Sequence, residues 1–397
     1  MKNNNMLNTD GMKRANRFLV LDTLHRAGPM SRSDLTRNLK CDGTTITNII
    51  RDLFKEGLVI SGGVAEQTCS GRPKELIDLN QESRHVIGLS FDPPFIAGII
   101  SDLRGNIKFC DRIMVNAAIS SERLSTLIKK VADSLMARTD RNKLLGIGIT
   151  TFGVLSSRER KLLFSGAFPA LCRISIDNIF NREFNIRPEI IDGTHAKAMA
   201  ELYFRRKQLP SGGSFMLIEA GTGTAYVNVL NGTPVLSSDG FIGEFGHTIV
   251  IKGGKKCYCG RRGCLETVSS LPSIMKEASI KTKSKNITFE YLLNRYEKND
   301  SVISEIINTA AESLGEATGN LFTLMPTDEL IITGKLTEFG EKYMRNFKKG
   351  FMKTAFPIFV RDIVINRSSR QDETAALGAC SLLIRNFLQG NGSEIKF

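Results

Sequence analysis

The segment from Gly243 to Glu266 constrains this chain more than any other. It reads Gly-Glu-Phe-Gly-His247, nine intervening residues, then Cys257-Tyr-Cys259-Gly-Arg-Arg-Gly-Cys264-Leu-Glu266. One imidazole and three sulfurs within eighteen residues supply the four N/S donors of a closed tetrahedral zinc shell. The spacing therefore predicts a structural Zn2+ held by His247, Cys257, Cys259 and Cys264. Gly260 and Gly263 let the backbone turn tightly enough for the thiolates to converge. The bland alternative is a loop of free cysteines. Against it, three of the chain's eight cysteines fall within eight residues and one of its four histidines sits just upstream.

A length of 397 residues implies two to four domains at roughly 100–200 residues each. No apolar run approaches the ~20 residues of a membrane span, and the start Met1-Lys-Asn-Asn-Asn-Met6 lacks a signal core, so a cytoplasmic protein with no membrane insertion is expected. Isolated cysteines such as Cys41, Cys110, Cys172 and Cys380 suit reduced thiols. The formal net charge is +13, yet residues 1–82 hold 12 Lys+Arg against 10 Asp+Glu. Basicity alone therefore does not locate a nucleic-acid surface.

Residues 13–82 carry three helical patterns and a strand pair. Phe18, Leu21, Leu24 and Ala27 recur at helical spacing before Gly28-Pro29 stops the run. Ser31 can cap a second helix, with Asp34 at the capping-box position, and Asp42 can cap a third, Gly43 to Glu56, whose buried stripe is Ile46, Ile49, Ile50, Leu53 and Phe54. Thr44, Thr45, Thr47, Asn48 and Arg51 are left as the polar residues at its start and outer face, able to reach phosphates and base edges. Leu58–Ser61 and Glu75–Leu79 read as two strands around a polar loop, which completes a winged helix-turn-helix. Ser31 and Arg32, at the start of the second helix, join the expected DNA contacts, with double-stranded operator DNA as the partner. A small helical oligomerisation module is the competing reading.

From about residue 84 strand and helix signals alternate: His85–Ser90, Phe95–Ile100, Ile107–Val115, a helix over Ser121–Arg138, then Leu144–Ile149, with a second series starting at Ser214. Two such units fit an α/β protein with an actin-like, ribonuclease-H-like pair of lobes. The expected division is 1–82 for the DNA-binding domain, 83–200 for a first lobe completed by a C-terminal helix over 373–390, and 201–372 for a second lobe with the zinc loop.

Glu244-x-Gly-His247 followed by Cys-x-Cys-Gly-x-x-Gly-Cys-x-Glu266 resembles the signature of the ROK family, which groups bacterial sugar kinases with sugar-responsive repressors. The resemblance implies the two-lobed fold and places Glu244, His247 and Glu266 at the sugar. ROK repressors carry a winged helix at this location ending in a Gly-Arg-Pro like Gly71-Arg72-Pro73, where Arg72 can enter a minor groove.

Family kinases cradle ATP phosphates on glycine-rich turns in both lobes. The second-lobe turn survives as Gly221-Thr222-Gly223-Thr224. The first-lobe turn is replaced by Ser90-Phe91-Asp92-Pro93-Pro94, whose prolines donate no backbone hydrogen and whose phenylalanine is expected to crowd the approach. Matching back from Ala200-Glu201, the catalytic aspartate of the kinases falls on Gly193, and only a one-residue shift would let Asp192 stand in. The adenine-side Gly-Gly is altered to Thr333-Gly334-Lys335.

These features lead to an expected sugar-controlled repressor, homodimeric or homotetrameric, with no catalysis. Its effector, a sugar or phosphosugar, is expected to sit at Glu244, His247, Glu266 and Asp192. The alternatives are a ROK-type sugar kinase with an added DNA-binding domain and a scaffold with neither ligand nor operator.

Overall fold

The computed structural model describes residues 9–64, 74–92, 94–116, 118–166, 168–205, 213–241, 243–368 and 373–390. Helical spacing of apolar residues folds the N-terminal part into α1 (Thr9–Ala27), α2 (Arg32–Leu39) and α3 (Gly43–Lys55), joined by β1 (Met30–Ser31), β2 (Val59–Val64) and β3 (Glu75–Leu79). Ser31 caps α2 by accepting from the Asp34 N–H, and Asp42 caps α3 by accepting from the Thr45 N–H, which satisfies amides that a first turn leaves unpaired. The strands form an antiparallel sheet in the order β1-β3-β2. Arg72, at the tip of the wing in the sequence, lies outside the described residues.

The rest of the chain repeats one sheet pattern. In the first lobe β4 (His85–Asp92), β5 (Phe95–Asp102) and β6 (Ile107–Met114) form an antiparallel meander and α4 (Ser121–Met136) follows. β7 (Leu144–Thr151) then joins β4 in parallel. The β8–β9 hairpin (Val154–Ser156, Lys161–Phe164) and α5 (Ile176–Phe184) lead to β10 (Glu189–Asp192), parallel to β7, and then to α6 (Gly193–Phe204). The resulting order is β10-β7-β4-β5-β6.

In the second lobe β11 (Phe215–Ala220), β12 (Thr224–Leu230) and β13 (Thr233–Pro234) run antiparallel. α7 (Glu266–Ser269), α8 (Leu271–Thr282), α9 (Phe289–Glu297) and α10 (Ser301–Leu324) follow. β14 (Glu329–Thr333), α11 (Gly340–Thr354) and β15 (Val364–Arg367) then add two parallel strands, giving β13-β12-β11-β14-β15. Both lobes thus share one strand order and one alternation of sense, as a duplicated ribonuclease-H-type unit requires.

Alternation along β4 sends Ile87, Leu89 and Phe91 to the face covered by α4 and Val86 to the opposite face. This corrects one expectation. Ser90–Asp92 continues β4 into a tight hairpin with β5, Asp92 pairing with Phe95, and Phe91 is buried in the first-lobe core, so its ring does not crowd an approach from solvent.

The C-terminal helix α12 (Thr374–Leu388) packs on β4, β7 and α6. Glycines make the approach possible: a Cβ on Gly88 would stand 2.3 Å from the Ala376 carbonyl oxygen, and one on Gly378 would stand 1.8 Å from the Ala196 carbonyl oxygen. The other side of α12 offers Leu377, Ile384 and Leu388 to Val20, Leu21 and Leu24 of α1, in one core that also takes in Ile50 and Leu53 of α3. The N-terminal helices are therefore packed onto the first lobe itself. Tyr203, at the end of α6, packs its ring at a tilt against His25 of α1 with centroids 4.1 Å apart, and Arg104 of the first lobe pairs with Asp78 of β3.

Both partners in the Gly378 contact are backbone, so neither can swing aside. Gly378→Ala is expected to cost about 1–3 kcal/mol or more of stability. Urea unfolding of the two proteins measures it, and an unchanged midpoint would contradict the packing described.

Candidate functional site

A pocket opens between the lobes, floored by the N-terminus of α6 and walled by the loop that follows β13. From the first lobe come Phe152, Gly153, Phe164 and Asp192; from the second come Glu219, Thr224, Glu244, His247, Tyr258 and Glu266. The four expected effector residues, Asp192, Glu244, His247 and Glu266, are all brought together here.

The loop owes its shape to backbone bonds and to four donors. Val250 and Ile251 donate to the Gly263 carbonyl, Cys257 donates to Arg261 at 2.8 Å, and Gly260 donates back to Cys257 at 3.1 Å. Gly263 has φ +78° and lies so close to Ile251 that a Cβ would stand 1.7 Å from its carbonyl oxygen, so only glycine fits. The ligand atoms of His247, Cys257, Cys259 and Cys264 lie within 4.8 Å of one another.

Cys257 Sγ is 3.6 Å from His247 Nδ1, and the Cys259 and Cys264 sulfurs are 3.7 Å apart. A tetrahedron with metal–sulfur arms of about 2.3 Å has edges of about 3.8 Å, so the donors fit a single ion. Burial lowers the His247 pKa, with the Arg261 charge adding to the effect, and this favours the neutral imidazole that can ligate. Burial pushes the Cys257 thiol well above its ordinary value, and a bound cation would reverse that. The residues can hold a metal ion. With Nδ1 turned to the sulfurs, Nε2 remains for the pocket.

The carboxylates are held in different ways. Glu266, the first residue of α7, accepts from the Thr224 N–H at 2.9 Å and from the Tyr258 hydroxyl at 3.3 Å, and burial raises its pKa to about 7. Asp192 caps α6 by accepting from the Thr194 and His195 N–H groups; burial pushes its carboxyl to about 7 despite those bonds. Glu244 stands at the mouth with its pKa raised by desolvation. Glu219 is buried beneath, accepting from the Thr194 hydroxyl at 2.8 Å and paired with Lys197 of α6.

Sequence reasoning did not find Tyr258, Glu219 or Lys197. Tyr258 lies between two ligand cysteines, stacks on Phe164 at 5.8 Å and meets His247 edge-on, so it ties the metal loop to the first lobe. A signal for Lys197 was present: a lysine inside the small-residue run Ala196–Ala200 of a buried helix needs a buried partner.

On the N-terminal domain, Thr44, Thr47, Asn48 and Arg51 are exposed at positions i, i+3, i+4 and i+7 of α3, opposite Ile46, Ile49, Ile50 and Leu53. Thr45 is half-buried and donates its hydroxyl to Asp42, and Arg32 pairs with Glu75 at 2.7 Å. Ser31 corrects an expectation. It is 3% exposed and its oxygen is committed to the α2 cap and Asp34, so it presents nothing to a phosphate.

A model of the ROK family matches residues 92–386, and one of the MarR family matches residues 14–61. The xylose repressor of Bacillus spizizenii is 24% identical over 95% of this chain and 97% of its own length. The DNA-binding transcriptional dual regulator NagC of Escherichia coli is 22% identical over 96% of this chain and 95% of its own length. Among solved structures, a ROK family transcriptional regulator, a homologue of the E. coli MLC protein, superposes with a TM-score of 0.77 at 21% identity, covering 96% of this chain and 98% of that one. A ROK family glucokinase from Streptomyces griseus, in complex with glucose and AMPPNP, gives 0.67 at 17% identity, with 75% of this chain and 98% of that one covered. Among the described residues no helix is long and apolar enough to cross a membrane.

The Asp192 shift carries a pH dependence. Its folded pKa of about 7 exceeds the ordinary carboxyl value of about 4, so the folded chain keeps a proton that the unfolded chain releases, and this group's contribution to stability falls as pH rises from about 4 to 7. Asp192→Asn keeps a capping oxygen but no charge and is expected to flatten that fall. Denaturant midpoints at pH 5 and pH 7.5 for both proteins check it; equal falls would exclude Asp192 as the cause.

Proposed function

The chain belongs to the ROK family, and from that premise we propose that it is a DNA-binding transcriptional repressor whose two-lobed domain binds a sugar or sugar derivative without phosphorylating it. One observation carries this reading: the helices that would read DNA share a continuous apolar core with the lobe that floors the carboxylate pocket. The repressor relatives align over nearly the whole chain, winged helix included, whereas the glucokinase aligns over 75% of it.

The Thr44, Thr47, Asn48 and Arg51 face of α3 enters the major groove, with Thr45 and Arg32 beside it and Arg72 on the wing. The chain divides into a DNA-binding domain over 1–82, a first lobe that runs to Phe204 and takes in the C-terminal helix, and a second lobe up to 372; a boundary at 200/201 would cut α6. The protein acts as a homodimer or homotetramer, since one reading helix per chain calls for two half-sites about one helical turn apart.

The ion in the His247 loop is Zn2+, structural because four protein donors close its shell. Asp192, Glu244, Glu266 and Nε2 of His247 bond the sugar hydroxyls, and Phe152, Phe164 and Tyr258 cover its apolar face. Against phosphotransfer stand the hairpin that replaces the first-lobe phosphate turn and Gly193, which offers no base where the kinases carry one.

Asp192 and Thr194 line the pocket at one end of α6, and Tyr203 meets α1 at the other. A sugar shifts operator affinity by its difference in affinity for the two arrangements of that helix, typically a factor of about 5–150.

Elemental analysis should find about one zinc per chain, and Cys259→Ser should release it and lower stability, because metal binding in a closed shell is folding free energy. Full stability of a metal-free protein would remove the zinc assignment.

Operator titrations test the rest. Arg51→Ala should weaken operator binding by about 1–3 kcal/mol if it reads a base. Glu244→Gln should leave operator affinity unchanged but abolish its response to sugar. A mutant that still responds would show that the effector binds elsewhere, and ADP release with a hexose would revive the kinase alternative.

A further inference from the structure

The floor of the interlobe pocket holds a carboxylate that the sugar contacts leave unused. Glu219 stands on β11, the central strand of the second lobe, is 4% exposed and lines the pocket. Its Oε2 accepts from the Thr194 hydroxyl at 2.8 Å, and its Oε1 pairs with the Lys197 ammonium. Both partners stand on α6, so the cluster ties a helix of the first lobe to the sheet of the second. A carboxylate offers about four lone-pair positions, and these bonds take two of them.

Among the described residues, Glu219 is the only one of the pocket's carboxylates with a lysine or arginine against it. A buried charge requires such a partner. Asp192 and Glu266 have none; burial pushes both to about 7, and the Glu219 charge adds to each rise. Beside Glu219 the floor is open and polar. Gly193 contributes no side chain, and a Cβ there would meet only the Thr151 carbonyl oxygen within 4 Å, at 3.3 Å. The Thr151 hydroxyl lines the pocket, is buried, and has no hydrogen-bond partner among the described residues. A group of this kind is satisfied when something enters the pocket to bond it.

We propose that Glu219 is a specificity-determining contact: it accepts a hydrogen bond from one hydroxyl of the sugar at the pocket floor, beside Thr151, and Lys197 is its positioning residue. Lys197 already balances the carboxylate, so the group that fits there is a neutral hydroxyl and not an ammonium. Thr194 and Lys197 each hold one oxygen, so the acceptor is fixed in place and selects sugars that carry a hydroxyl at one ring position. The inference rests on the sugar reading of the pocket and adds to it a contact from the second-lobe sheet.

The test uses the full-length, metal-loaded protein. Calorimetry first measures xylose, glucose and N-acetylglucosamine, then the monodeoxy analogues of whichever binds. Each is compared between the parent and a Lys197→Met/Glu219→Gln double variant, which removes both charges together and keeps an acceptor for Thr194. Circular dichroism and the urea midpoint check its fold. Glu219→Asp, which keeps the ion pair but draws the acceptor back by one methylene, serves if the double variant does not fold.

The binding sugar should lose about 10- to 100-fold in affinity in either variant. One monodeoxy analogue, the one lacking the hydroxyl that faces Glu219, should bind parent and variant within about twofold of each other, while the remaining analogues lose as much as the sugar itself. That pattern separates a contact from a structural role, which would weaken every analogue alike. Equal loss for all analogues, or unchanged affinity of the sugar in the variants, overturns the proposal. If none of the sugars binds the parent, the sugar reading of the pocket fails and the Glu219 contact falls with it.

Discussion

The contact between α6 and α12, backbone against backbone at Gly378 and Ala196, is the constraint on which the rest of this molecule depends. Two helices approach this closely only when a glycine removes the Cβ between them. The closeness has two consequences. It seats α12 in the first-lobe sheet, where Gly88 and Gly148 make room for Ala376 and Ala379, and it fixes the axial position of α6 against that sheet. Because the far side of α12 is part of the α1–α3 core, a helix more than 280 residues away in sequence anchors the N-terminal domain. The three parts of the chain are thus joined by apolar packing, which resists small displacement because interiors are packed to crystal-like density.

The second rigid element is the metal loop, and its rigidity is of a different kind. It has little apolar core of its own: Ile249, Val250, Ile251 and Tyr258 are exposed. Its form comes from backbone hydrogen bonds around Gly263 and from the four donors. Tyr258 extends that order outward, toward Phe164 across the cleft and toward Glu266. Movement of one lobe relative to the other therefore acts on the loop chiefly through an aromatic stack and a single hydroxyl. Those contacts rearrange at far lower cost than the buried core in which Ala196, Met199 and Ala379 meet Phe215, Leu217 and Val227 of the second lobe, which marks the mouth of the cleft as its softer part.

The sequence disclosed most where chemistry and spacing are local. The four donors, the caps at Ser31 and Asp42, the stripe on α3 and the strand series of both lobes all depend on residues a few positions apart, and the structure assembles them as expected. What stayed hidden depends on distant pairing. Phe91 looked like an obstacle in a loop, and only the pairing of β4 with β5 turns it into the core. Ser31 served equally well as a cap or as a phosphate contact until its burial decided for the cap. Glu219 reaches the pocket from a strand with no motif around it, and the α12–α1 packing has no local signature at all, since it joins the two ends of the chain.

These two joints set how a signal can travel. α6 spans about 18 Å at 1.5 Å per residue over its twelve residues, with Asp192 and Thr194 in the pocket at its start and Tyr203 against His25 at its end. A ligand that draws charge or hydrogen bonds from Asp192 acts on the N-cap of α6. A shift of α6 along its axis is opposed by Gly378 and by its packing on the second-lobe sheet, so the easier response is for the metal loop to close over a stationary α6. Reciprocity then applies: if closure disfavours the paired arrangement of the reading helices, DNA must weaken effector binding by the same factor. With the winged helix fixed to the first lobe by the α12 packing, a change at the mouth of the cleft is felt by the lobe and the reading helices as one unit.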